Sequence, residues 1–320
     1  VTDIIITSEE ENIRMYPMDF EEFLWATGNE TLMDLIRTFF TKEQPLGQAL
    51  HRKVMDLFRQ YVIVGGMPQA VEKWITSKDF DQVDAVKRRI LALYRADVAK
   101  HTRNLREKVE KIFDTIPSQL SKHEKRFKLS ALGQNARMRS HEDAFVWLDD
   151  SMIVNLCFNS TDPNVGLSLN EDRSMMKCYM GDTGLLISMA FDDHGQTDSE
   201  IYKKLLLDKL EVNKGMIIEN IVAQMLRVNG HKLFFYSNPS PKEKEDRMEI
   251  DFLITKHAIT NRHNISPIEV KSGSQYSLTS LNKFENKFEK RLSTPYVIHT
   301  KDLEKRDELI YLPIYMTCLL

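Results

Sequence analysis

"EIDFLITKHAITNRHNISPIEVK", residues 249–271, reads as two apolar strands joined by a polar loop, each with charge where a strand normally places hydrophobic residues. Successive strand side chains point to opposite faces. Asp251 is therefore expected to share a face with Glu249 and Leu253, while Ile250, Phe252 and Ile254 face the other way. In the second strand Glu269 and Lys271 share a face opposite Ile268 and Val270. If the two strands are hairpin neighbours, Asp251 and Glu269 come within about 5 Å of each other, in reach of one ion. Two carboxylates and water suit Mg²⁺, a hard cation that keeps several of its waters. Lys271 would then orient an attacking water or offset charge on a phosphate. The competing reading is an exposed strand that alternates charge with Ile or Val, since a three-residue pattern such as "EVK" recurs by chance.

Upstream, "NKGMIIENIVAQMLRVNG" has helical spacing and closes at Gly230. Ile218, Ile221, Val222 and Met225 form its core stripe, and Glu219 lies on the flank, placed to reach over the sheet edge as a further ligand. The strands "HKLFFYS", "PYVIHT" and "IYLPIY" and a helix around "SLNKFENKFEKR" complete an α/β domain with a central mixed sheet. "CYMGDTGLLISM" reads as a strand and turn, with Asp182 as a turn cap.

Before this domain the chain is mostly helical. Pro17 and Asp19 start a helix through "FEEFLWAT", and "ETLMDLIRTFF", "LGQALHRKVMDLFRQYVIV" and residues 79–101 continue with helical spacing. Gly65 and Gly66 form a turn before Pro68 and not a phosphate loop, because GxxxxGK[ST] occurs nowhere. Residues 106–180 read as three short helices, "REKVEKIFDTIPSQL", "LSALGQNA" and "SHEDAFVWLDD", then the strand "MIVNLCF" and a polar loop. Ser140 and Asp143 have the spacing of a capping box at the third helix. This is the outline of a winged helix, with Arg137, Arg139 and His141 opening the recognition-type helix; it is equally the outline of a packing module with a solvated basic face.

With 320 residues, 42% hydrophobic and 28% charged, the chain can form one large or two to three ordinary globular domains. Its longest apolar run, "LIYLPIYMTCLL", contains a proline and is too short to cross a bilayer, so no membrane association and a cytoplasmic location are expected. Cys157, Cys178 and Cys318 form no CxxC pair, which argues against a zinc site or a disulfide framework. The histidines lack HxxxH or HExxH spacing, and the methionines fit core packing. Residues 84–140 hold fifteen Lys/Arg against six acids, a net +9 that leaves −12 elsewhere from the total of −3. A polyanion such as DNA would meet this segment first. The apolar "VTDIIIT" that begins at Val1 has no earlier strand to pair with and reads as the continuation of a longer chain.

The order Glu219 in a helix, Asp251 in a strand, then Glu269-Val270-Lys271 in the next resembles the PD-(D/E)xK nuclease fold. The whole chain resembles the C-terminal part of bacterial and archaeal AAA-family ATPases that end in a domain of unknown function with that fold. The resemblance runs from Tyr16 to about Lys287 through "YPMDFEEFLWA", "YVIVGGMPQAV", "YRADVAK", "IPSQLSK", "FKLSAL", "WLDDSMIV", "KCYMGDTGLL", "IIENIVAQML", "EIDFLI" and "PIEVKSG". Ile250 stands where the nuclease signature has its proline. The resemblance implies a helical segment at 1–105 that ends a preceding ATPase domain, a winged-helix-like domain at 106–180 and a nuclease-like α/β domain at 181–320. It implies Asp251, Glu269 and Glu219 as metal ligands, Lys271 as the catalytic lysine and Glu219 as an accessory acid. Mg²⁺ would be the cofactor, ATP would bind only in the full-length protein, and the partners would be DNA and the chain's own ATPase domain. Homo-oligomerisation stays open. The alternative is a non-catalytic DNA-binding or assembly scaffold of the ATPase.

Overall fold

The computed structural model describes residues 13–101, 105–122, 124–134, 136–164, 166–193, 195–209, 213–239, 246–255, 264–273 and 275–320. The opening "VTDIIIT" and the loop "KHAITNRH" lie outside the described residues.

The N-terminal part is helical. It comprises α1 (Phe20–Ala26), α2 (Thr31–Thr41), α3 (Gln48–Val64), α4 (Pro68–Ser77) and α5 (Phe80–His101). Asp19 caps α1 in a reciprocal box with Glu22: each side chain accepts from the other residue's backbone N–H, at 2.8 and 2.9 Å. Then come α6 (Arg106–Leu120), a 3-10 turn at Leu129–Leu132 in place of the expected second helix, and α7 (Met138–Asp150). The Ser140–Asp143 capping box does not form, because α7 begins two residues before Ser140 and its N-cap residue, Arg137, makes no side-chain cap. The Ser140 hydroxyl instead donates to the Arg137 carbonyl at 2.8 Å.

β1 (Val154–Ser160) and β2 (Glu171–Met180) form an antiparallel hairpin after α7. Helix, helix and hairpin thus follow in winged-helix order, but the hairpin is not a free wing. β1 pairs in parallel with β5 (Phe234–Asn238), which makes β1 and β2 one edge of an eight-stranded mixed sheet. After β2 come α8 (Thr183–Ala190), the two-residue strands β3 (Asp192–Asp193) and β4 (Gln196–Thr197), α9 (Ser199–Leu206) and α10 (Lys214–Val228). α8 is a helix where a turn was expected. β6 (Met248–Thr255), β7 (Ile265–Val270), α11 (Thr279–Phe288), β8 (Tyr296–His299), β9 (Glu304–Arg306) and β10 (Leu309–Pro313) complete the described α-helices and strands. The sheet order is β2-β1-β5-β6-β7-β8-β10-β9, so β6 and β7 are central and antiparallel neighbours.

The two faces of the sheet have separate cores. Met216, Ile217, Ile221 and Met225 of α10 pack on one face with Phe235, Phe252 and Ile268; Leu281 and Phe284 of α11 pack on the other with Ile250, Leu253 and Val297. Plain alternation fails in β6. Phe234 pairs with Leu253 and Tyr236 with Ile250, so the single residue Phe235 lies opposite both Asp251 and Phe252. This bulge turns Ile250 and Leu253 toward one core and Phe252 and Ile254 toward the other, correcting the expectation that Ile250, Phe252 and Ile254 share a face.

The helical part is fastened to the sheet domain by close backbone approach. The Asp182 side chain caps α8, accepting from Leu185 N at 2.8 Å, and also accepts from Gly66 N at 2.6 Å. A Cβ on Gly66 would lie 2.2 Å from the Met18 carbonyl oxygen, and one on Gly184 would lie 2.6 Å from the Val64 carbonyl oxygen. The Gly65-Gly66 turn is therefore a packing joint. Gly66→Ala is expected to lower unfolding stability by about 1–3 kcal/mol through overpacking of a backbone–backbone contact. The urea midpoint measures this, and an unchanged midpoint would contradict the tight joint.

Candidate functional site

Three of the four residues singled out from sequence line one pocket. Asp251 on β6, Glu269 on β7 and Lys271 just after it border a solvent-open space of about 1040 Å³, together with Glu249, Arg247 and Ser237. The antiparallel pairing of Phe252 with Ile268 sets adjacent positions of β6 and β7 side by side, as the hairpin reading requires. Ile268 and Val270 pack into the α10-side core, so Glu269 and Lys271 occupy the alternate positions of β7 and its extension. Lys271 Nζ lies 2.6 Å from Glu269 Oε1, and Asp251 Oδ2 accepts from Val270 N at 2.8 Å.

Glu219 does not line the pocket but lies behind it. It is buried on α10 beneath the sheet, and its oxygens are taken by the Lys125 ammonium, by Lys177 Nζ at 3.2 Å and by the Tyr179 hydroxyl. It does not border the pocket, and the expected aim over the sheet edge is not observed. Burial alone would push its carboxyl up, but Lys125 and Lys177 outweigh that and hold it at about 2.

The residue that sequence reasoning missed is Lys177. It lies on β2 with a side chain 1% exposed, and it spans β1 and β5 to place Nζ 3.0 Å from Glu249, 3.2 Å from Glu219 and 3.7 Å from Asp251. The ammonium also lies 5.0 Å from the Phe235 ring centroid. Burial disfavours the charged lysine, yet Glu219, Glu249 and Asp251 together keep it charged, well above the ordinary lysine range. The signal was a charged residue inside the apolar run "MMKCYM" of a strand.

Around the pocket, Lys125, Lys177 and Lys271 face the four carboxyl groups of Glu219, Glu249, Asp251 and Glu269. Burial and the nearby Asp251 raise Glu269 to about 8 despite Lys271, and a proton on Glu269 near neutrality balances the cluster. Among the described residues Glu269 Oε2 is buried without a hydrogen-bond partner. Among the described residues no group of three His, Cys, Asp or Glu side chains is disposed to hold a metal ion. The donor set therefore fits Mg²⁺ only as the pair Asp251 and Glu269 with water, Glu269 supplying an unused oxygen; Glu219 does not fit as a third ligand.

The basic segment 84–140 is partly consumed by the fold. Lys87 is fully buried and donates to the Ile63 carbonyl at 2.9 Å, Arg88 bridges Asp84 and Asp192 at 2.7 and 2.6 Å, and Arg95 pairs with Asp114 at 2.9 Å. Lys111, Lys122, Arg137 and Arg139 on and around α6 and α7 remain exposed. No helix among the described residues is long and apolar enough to cross a membrane.

Fold and site together define a mixed α/β protein with an acidic, lysine-compensated pocket over the central strands of its sheet. Residues 55–196 match the family described as "Domain of unknown function (DUF8612)", and residues 214–317 match "Domain of unknown function (DUF4143)". The second match contains α10 and the pocket strands, and the first ends before them. No curated protein and no solved structure matches the chain.

The raised Glu269 carboxyl has a signed consequence for stability. The folded protein retains a proton that the unfolded chain releases near pH 4.5, so this group's contribution is full below that value and is lost as pH rises through about 8. Urea midpoints taken from about pH 5 to 9 should fall with this slope in the wild type and lose it in Glu269→Gln. Identical slopes in both proteins would contradict the assignment.

Proposed function

We propose that this chain is the C-terminal region of an AAA-family ATP-binding protein and that its α/β domain carries a nuclease-like, Mg²⁺-dependent pocket for DNA phosphodiesters. The observation that carries the reading is the gathering of Asp251, Glu269 and Lys271 from neighbouring antiparallel strands into one solvent-open pocket. Support for the ATPase context is the match of residues 214–317 to a family often linked to C-terminal regions of AAA ATPases.

In this reading Asp251 and Glu269 hold the ion. When bound, Mg²⁺ supplies polarisation of the phosphate and a water of lowered pKa. Glu269, whose carboxyl burial and the nearby Asp251 raise to about 8, would have to be ionised to serve as a ligand there. Lys271 places an ammonium beside the reacting phosphate and steadies Glu269 through their 2.6 Å contact. Arg247, exposed at the same pocket, contacts a flanking phosphate, and the exposed Lys111, Lys122, Arg137 and Arg139 follow the DNA backbone.

A second reading, a non-catalytic DNA-binding or assembly scaffold, is favoured by one observation. Lys177 already pairs with Glu219, Glu249 and Asp251, which stabilises the cluster without any ion. Incubation of plasmid and single-stranded DNA with the protein and Mg²⁺ separates the two. The nuclease reading expects cleavage that EDTA abolishes and that Asp251→Ala and Lys271→Ala each reduce by about 100-fold or more, the scale of a lost charge-stabilising group. DNA binding without cleavage, persisting in the full-length protein with ATP, would establish the scaffold instead.

A further inference from the structure

Among the described residues that border the pocket, Glu124 alone comes from outside residues 237–280. It lies between α6 and the 3-10 turn, within the first family match, and adds a carboxylate to those of Glu249, Asp251 and Glu269 in a pocket bordered by two cations, Arg247 and Lys271. A phosphodiester entering there meets Glu124 as a like charge. The Glu124 carboxylate is gripped by its own neighbours: Arg126 Nη2 donates to Oε1 at 2.5 Å, and Lys128 Nζ lies 3.1 Å from Oε2. The segment is stitched to the edge strand β2, where Phe127 N donates to the Met176 carbonyl at 2.8 Å and Arg126 Nη1 lies 3.6 Å from Met175 Sδ. Among the described residues Arg126 Nε is buried without a hydrogen-bond partner. A guanidinium offers a planar fork that a carboxylate or a phosphate meets through two parallel hydrogen bonds. Glu124 spans Arg126 and Lys128 instead, so the fork is only half used.

We propose that Arg126 and Lys128 form a subsite for a DNA backbone phosphate at the rim of the pocket, and that Glu124 is its resident anion, which DNA displaces. The proposal rests on the DNA reading given above. A backbone phosphate carries the same charge as the carboxylate, and its two free oxygens can take Arg126 Nε and Nη2 together, pairing the donor that Glu124 leaves idle. Lys128, with half of its side chain exposed, closes the other side of the phosphate. Glu124 then acts as a brake on binding, because every phosphate that enters the subsite has to take both cations from it. Arg126 and Lys128 bind and orient the strand and take no part in breaking a bond.

Fluorescence anisotropy of a labelled single-stranded oligonucleotide, measured on the whole chain in EDTA, tests this without any metal. E124Q should tighten binding by about threefold to tenfold, the effect of one like charge removed beside a phosphate. K128Q should weaken binding and lower its salt slope by about 1. The gain from E124Q should largely vanish in an R126Q/K128Q background. An unchanged affinity in E124Q, no binding by either protein, or an equal gain in the wild-type and R126Q/K128Q backgrounds overturns the subsite, the last because net charge alone would then explain it. If circular dichroism shows that R126Q/K128Q does not fold, K128Q alone serves as the background, and an equal gain there is again the overturning result. Mg²⁺-dependent cleavage with no effect of E124Q on binding removes the subsite and leaves the nuclease reading. A gain that depends on Lys128, without cleavage, supports the subsite and removes the nuclease reading, so the two failures are distinguishable.

Discussion

A buried lysine ammonium held among three carboxylates behind the pocket is the constraint on which the site depends. Burying a charge costs several kcal/mol, and a buried ion pair repays that only when its geometry is good and its other polar atoms are satisfied. Lys177 meets this by reaching Glu219, Glu249 and Asp251 at once, and Glu219 is further held by Lys125 and the Tyr179 hydroxyl. The arrangement ties β2, α10 and β6 together. It also fixes Asp251, whose other oxygen accepts from Val270 N, and so fixes the wall of the pocket. Removing Lys177 leaves Asp251 and Glu249 without this ammonium, while Glu219 keeps Lys125 and the Tyr179 hydroxyl.

The same helix that carries Glu219 joins the sheet domain to the helical part. Asn220 accepts from Met180 N at 2.8 Å and donates to Thr183 Oγ1 at 2.9 Å, while Gln224 accepts from Thr183 N at 2.8 Å and donates to the Tyr61 hydroxyl at 3.2 Å. Tyr61 in turn donates to the Met18 carbonyl at 2.9 Å. Asn220, Met180, Thr183, Gln224 and Tyr61 are buried and paired, so the route from α10 to the segment before α1 has little tolerance for rearrangement. Asp182 adds a second joint through Gly66. The site therefore stands on a sheet whose edge strand, covering helix and helical neighbour are locked to one another.

Much of this was readable from the amino-acid order, and the misses have physical causes. Helical spacing and capping residues placed α1, α3 and α10, and strand alternation placed Glu269 and Lys271 on one side of β7. Alternation failed at Asp251 because a bulge is set by the pairing of β6 with β5, a non-local contact that sequence spacing does not encode. Ser140 and Asp143 matched a capping pattern, but Met138 and Arg139 continued the helix backward past it. The strand and loop after α7 had the outline of a wing because the pairing of β1 to β5, more than seventy residues on, is invisible locally. Lys177 was legible only as an anomaly, a charge in an apolar strand, and its partners lie on two elements far along the chain.

The pocket and the lysine behind it make one claim that a single crystal can test. Diffraction from Mn²⁺-soaked crystals of the whole chain, collected at the manganese edge, locates the ion directly. One anomalous peak is expected between the carboxylates of Asp251 and Glu269, with the Lys177 ammonium still seated among Glu219, Glu249 and Asp251. A peak at the Lys177 position with the lysine displaced, or no peak in the pocket at all, would contradict it.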